Sequence, residues 1–276
     1  MKFSWRQSSN KISGTSRVSD INNYIKKTKP SNKSAIDNFY DSRTKIIQVA
    51  TPTFLNSNPW LSAPLIALTI SATEDYFREI SAFCITKCSI AKAASAEKSI
   101  HLGSAMWNSA SFFSRGCFEH LSFASQDTVK KCSREYLDYE INKKSNTYSA
   151  LEEYEKLCEL RHGIVHSNSR LPGKNAIKLG LQNTTNDLIL IEPGVTEIQE
   201  AISICSTLIE SYNQELFQEI CRRWANDWRN DPGWVPQDEG KLFKDIYEGF
   251  FSSKNPPHSH TWRKSMSHIK KEFGLP

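Results

Sequence analysis

Residues 149–167 read Ser149-Ala150-Leu151-Glu152-Glu153-Tyr154-Glu155-Lys156-Leu157-Cys158-Glu159-Leu160-Arg161-His162-Gly163-Ile164-Val165-His166-Ser167. Leu151, Tyr154, Cys158 and Val165 recur at helical spacing, the mark of a helix with one apolar face. Ser149 and Glu152 fit a capping box, in which the serine oxygen accepts from the Glu152 amide and the glutamate reaches back to the Ser149 amide. Pro172-Gly173 sets the far limit. The stretch predicts a helix from about Ala150 to Ser167, with the Arg161–His166 segment in its last two turns.

The helical period extends outward on both sides. Ser34 to Val49 carries Ile36, Phe39, Tyr40, Ile46 and Ile47 as its apolar set, and Thr51-Pro52 stops it. A largely buried helix begins near Pro64, with Leu65, Leu68, Ala72, Ile80 and Cys84 on the pattern and Glu74, Asp75, Arg78 and Glu79 as its polar groups. Residues 95–125 show no clear period, but Phe112, Phe113, Phe118 and Phe123 read as core. A helix from about Thr128 to Asn142 follows. Downstream, Val195, Ile198, Ile202, Cys205, Ile209, Tyr212 and Leu216 mark a long amphipathic helix ending between Cys221 and Trp228. Only residues 176–192 break the rule. Ala176–Leu181 and Asp187–Ile191 flank Asn183-Thr184-Thr185-Asn186, which reads as a small hairpin. The expected fold is an all-α helical bundle with at most one small β-hairpin. Residues 34–221 form the bundle, 1–33 a mobile arm, and 222–276 a Trp-rich accessory region of two short helices broken at Asp231-Pro232-Gly233 and Asn255-Pro256-Pro257.

Hydrophobic residues make up 38% of the 276-residue chain and charged residues 24%, which suits a folded protein rather than a disordered one. No run of about 18 uncharged apolar residues exists, so no membrane span is expected, and no apolar core follows the basic N-terminus to make a signal peptide. Seven cysteines, an odd number without C-x-x-C spacing, read as buried reduced thiols of a cytoplasmic protein. Residues 1–33 hold Lys2, Arg6, Lys11, Arg17, Lys26, Lys27, Lys29 and Lys33 against Asp20 alone. Such an arm suits a polyanion partner, RNA among them, the bland alternative being a solvated tail. Neither a Gly-rich phosphate loop nor a G-x-S-x-G elbow appears.

Chemistry points back to the first stretch. An arginine five residues before a histidine occurs three times, at Arg115–His120, Arg161–His166 and Arg263–His268. Only Arg161 is followed by His162, with apolar Ile164 and Val165 before His166 and polar Ser167-Asn168 after it. Histidine titrates near neutrality and serves as base or acid. Arginine stays charged and holds phosphate oxygens.

The segment Leu160–Asn168 resembles the active motif of the HEPN-family ribonucleases, and the helix containing Glu74 together with the long closing helix is similar to the ribosome-associated, RiboL-PSP-like HEPN domains over roughly residues 34–221. The resemblance implies a metal-independent endoribonuclease that uses no cofactor and cuts RNA by attack of the 2′-OH. Its site is composite, built by a homodimer. It also implies the biology of toxins and defence effectors, with an antitoxin or regulatory protein as partner. On this reading His166 is the base or acid, Arg161 the phosphate clamp and His162 a positioning residue, with Glu74 and Asn168 in support. The two ends lie outside the resemblance; from charge alone Lys26, Lys27, Lys29, Arg263 and Lys264 are expected to add RNA affinity, the last two near Trp262. The alternative is a non-catalytic helical module that binds RNA or a protein. The spacing of His162 and His166 also suits two zinc ligands, but Gly163 stands where H-E-x-x-H has glutamate, and nothing singles out His120, His258 or His260 as a third.

Overall fold

The computed structural model describes residues Ser9, Gly14, 16–29, 31–108, 113–182, 187–230, 233–257 and 261–276. Residues 1–32 and 33–276 form separate compact units. In the first, a 3-10 turn at Ile21–Tyr24 is capped by Asp20, whose side chain accepts from the Asn22 amide at 2.8 Å. Lys26, Lys27 and Lys29 follow in exposed extended chain, while Lys2, Arg6 and Lys11 lie outside the described residues.

In its described residues the second unit is all-α, its helices joined by turns and loops. Its helices are α1 (Ala35–Val49), α2 (Pro52–Ser57), α3 (Ser62–Lys87), α4 (Ser89–Ser95), α5 (Leu102–Trp107), α6 (Phe113–Gly116), α7 (Gln126–Leu137), α8 (Asn146–His166), α9 (Gly173–Lys178), α10 (Val195–Asn226), α11 (Glu239–Phe250) and α12 (Trp262–Glu272). Among the described residues the one β element is an isolated antiparallel bridge between Arg170 and Leu190. No described helix is long and apolar enough to cross a membrane.

α3 is central and packs on α1, α8 and α10. It tolerates buried Thr69 and Thr73 because each hydroxyl donates to the carbonyl four residues back, at 2.9 and 3.0 Å. Phe77 stacks on Phe123 and meets Tyr212 edge-on at the middle of the core. α10 runs past residue 221, carrying Trp224 and Arg223 fully inside. Arg223 donates to the carbonyls of Leu137 and Asp138, both at 2.7 Å, and to Glu219 at 2.6 Å. The start of α1 clasps the segment after α11: buried Asp37 accepts from Ser252 Oγ at 3.0 Å and from the Ser253 amide at 3.1 Å.

Several local expectations change. Ser145, not Ser149, caps α8, accepting from the Tyr148 amide at 3.2 Å; the Thr147 amide donates to Glu215 of α10, so the cap is completed from across the bundle. α7 stops at Leu137 rather than Asn142 because Asp138 turns left-handed (φ 51°) and Arg223 takes the terminal carbonyls. Ala176 belongs to the short helix α9 rather than to a strand, and the expected turn at 183–186 lies outside the described residues. Phe118 and Phe123 are core, Phe113 is exposed, and Phe112 lies outside the described residues. Ile47 and Leu68 face solvent.

Candidate functional site

The second half of α8 divides cleanly by face. Leu157, Cys158, Glu159 and Gly163 are buried, Leu160 and Ile164 pack partly on the core, and His162, Val165 and His166 are exposed. Arg161 is half-buried. Positions four apart share a helix face, and the His162 and His166 rings lie 4.9 Å apart, tilted 49°. Arg161 and His166, five positions apart, differ by roughly 140° about the axis at ~3.6 residues per turn. Among the described residues Arg161 has no carboxylate partner. Glu159, its neighbour, accepts instead from Asn175 at 2.5 Å and from Lys178, which fastens α9 to α8. That hydrogen bond holds Lys178 above its ordinary pKa.

The chain reverses just beyond His166. Asn168 and Ser169 both adopt left-handed backbone, φ 52° and 60°. Asparagine enters that region more readily than most residues, which gives Asn168 a backbone role. Its side chain is exposed. The returning strand is pinned by two backbone bonds, Leu171 N–H to Ile189 at 2.9 Å and Ile191 N–H to Ser169 at 2.7 Å. It passes so close to α8 that a Cβ on Gly163 would stand 2.8 Å from the Arg170 carbonyl oxygen and 2.8 Å from Ile191 Cδ1. Close passage of the strand therefore requires a glycine between the two histidines, at the position where a zinc peptidase motif carries glutamate.

Glu74 does not join this group. Its Oε1 accepts from Arg78 at 3.3 Å, Ser122 at 3.2 Å and the Ala124 amide at 3.1 Å. Burial raises the Tyr154 hydroxyl and the Cys158 thiol well above their ordinary pKa values, and the Glu74 carboxylate adds to both. Glu74 thus lies against the buried side of α8, away from the exposed histidines, and secures the 121–124 loop. Arg115 of the competing motif pairs with Asp75 and, at 3.2 Å, with Glu79, which neutralises it. Arg263 and Lys264 are exposed on α12. His258 and His260 lie outside the described residues. Among the described residues no group of three His, Cys, Asp or Glu is placed to hold a metal ion.

Sequence reasoning missed that several apolar side chains on α8, α9 and the 188–190 segment face solvent. Val165 is 51% exposed, Ile177 76%, Leu188 76% and Leu190 57%. Leu188-Ile189-Leu190-Ile191 is an unbroken apolar run, and the structure exposes its two leucines while it buries Ile191. Comparisons with protein-family models, with curated proteins and with solved structures find no match.

Proposed function

We propose that this chain is a metal-independent endoribonuclease of the HEPN type, acting as a toxin or defence effector restrained by an antitoxin or regulatory protein. One observation carries the reading: Arg161, His162 and His166 stand on the last two turns of α8, the two histidines side by side, and among the described residues no ion pair engages any of the three. A structural arginine normally has a carboxylate beside it, as Arg115 and Arg223 do. In the reaction a histidine takes the proton of a ribose 2′-OH, whose oxygen attacks the adjacent phosphorus. The P–O5′ bond breaks, an acid protonates the departing 5′-oxygen, and a 2′,3′-cyclic phosphate remains. The arginine balances the charge that builds on the phosphoryl oxygens. Because Arg161 and His166 diverge on one helix, two chains assemble the site, and the exposed apolar side chains of Val165, Ile177, Leu188 and Leu190 are the surface on which they meet.

The test is cleavage of single-stranded RNA in EDTA. Wild type yields cyclic-phosphate ends, while Arg161→Ala and His166→Ala each lose about a hundredfold or more in rate. Expression of the wild type arrests growth of a host cell, and the His166→Ala form does not. Activity that EDTA abolishes and a divalent ion restores, or that survives His166→Ala, sinks the reading. RNA bound tightly but left whole selects the non-catalytic module instead.

A further inference from the structure

Far along the chain from the α8 motif, α12 builds a basic cleft of its own. Thr261 caps the helix, accepting from the Lys264 amide at 3.3 Å. The other end closes in a Schellman turn. Gly274 is left-handed at φ 63°, its amide donates to the Lys271 carbonyl at 3.4 Å, and the Leu275 amide donates to Lys270 at 2.8 Å. That turn folds Leu275 back along the helix. The result is a shallow, wide-open cleft of about 440 Å3 lined by Trp262, Arg263, Met266, Lys270, Lys271 and Leu275.

Two features of its lining belong together. Trp262 is partly buried against the core, and the Arg263 guanidinium sits 4.9 Å from its ring centroid. Such a pair presents a cation and an aromatic ring together at solvent. Lys271 is exposed about two turns further along α12, at the other end of the cleft, and Lys270 is held at 2.7 Å by Glu239, a carboxylate already shared with Arg229. The exposed Arg263 and Lys271 offer positive charge suited to phosphate oxygens, and the guanidinium over the indole offers a surface suited to a planar base.

We propose that the α12 cleft is an anchoring site for single-stranded RNA, holding one unpaired base on the Arg263–Trp262 platform and a phosphate further along the strand on Lys271. The inference rests on the ribonuclease reading for its choice of RNA, and it places substrate capture on a surface separate from the cleavage motif. A paired base has both faces covered by its stack, so duplex RNA binds without the platform.

Binding is measured by fluorescence anisotropy on the full chain carrying His166→Ala, so that no RNA is consumed. The probes are a short labelled single strand, the same sequence as a duplex, and vesicles of anionic phospholipid. Arg263→Lys keeps the charge and removes the plane. It weakens the single strand about tenfold, as expected for one lost stacking contact, and leaves both duplex binding and the salt slope unchanged. Lys271→Ala lowers the single-strand salt slope by about 0.7, one phosphate's worth. Thermal melts confirm that both exposed variants fold. Unchanged single-strand affinity in Arg263→Lys, equal losses on duplex, or preference for the vesicles over RNA overturns the site. None of these results depends on cleavage. Absence of ribonuclease activity in the wild type leaves this binding test standing and overturns only the catalytic reading.

Discussion

At the scale of single residues, Gly163 carries more information than either histidine beside it. In an open helix, alanine would be favoured over glycine by about 1 kcal/mol. Here the added methyl meets a backbone carbonyl at 2.8 Å, and the carbonyl belongs to a segment pinned by two hydrogen bonds. Overpacking of this kind costs about 1–3 kcal/mol, so it outweighs the propensity gain. Gly163→Ala is therefore expected to lower stability by about 1 kcal/mol in denaturant melts, against the usual rise for a helical glycine. An increase in stability would show that the 169–172 segment yields freely. The histidines were legible in the sequence as chemistry-bearing residues. The need for Gly163 was not, because the atoms it avoids belong to Arg170, Pro172 and Ile191, beyond a chain reversal that no local signal announces.

Elements show the same division between local and distant causes. α1, α3 and α10 were readable because their apolar residues repeat over many turns and α1 carries its own serine cap. The start of α8 was misread because Ser145 and Ser149 are locally similar and the deciding partner, Glu215, comes from α10. α9 was misread because a short apolar run fits helix or strand alike, and the bonds to Glu159 decide it. The end of α7 depends on Arg223, and this gives a prediction about acid. Burial pulls Glu219 upward, but hydrogen bonds from Arg222 and Arg223 outweigh it and hold the carboxyl below its ordinary 4.5. A depressed folded-state pKa contributes stability that is present above the ordinary value and lost as pH falls through the lowered one. Glu219→Gln should thus destabilise the chain by about 3 kcal/mol near neutrality, since it leaves a buried guanidinium without its carboxylate. The difference from wild type should shrink as pH drops below about 4. Denaturant midpoints measured across that range test it, and a gap that stays constant with pH would refute the assignment.

For the whole molecule, the open question is what the motif faces. Val165 lies within the motif, and Ile177, Leu188 and Leu190 stand on segments tied to the end of α8, each of the four more than half exposed; exposed apolar side chains of this kind mark interaction sites when they are contiguous. If two chains meet there, Ile177→Asp with Leu188→Asp should convert a dimer to a monomer by light scattering and abolish cleavage, with Arg161 and His166 untouched. Full activity in a demonstrated monomer would rule out the composite site. The all-α architecture was legible from periodicity alone, whereas the outward face of the 188–190 segment was not, because an unbroken apolar run does not say which of its side chains are wet.

The way α10 ends has a bearing on descent. Appended regions in many proteins are cassettes, gained or exchanged without disturbing what they join. Here the last turns of α10 send Arg223 inward to cap α7 and bury Trp224 against Phe243 of α11. A recombination breakpoint near residue 222 would strip the bundle of its own internal guanidinium while delivering a foreign tail. A chain cut near residue 222 is therefore expected to leave the bundle without the side chain that closes α7, so the tail and the bundle are one folding unit at this junction.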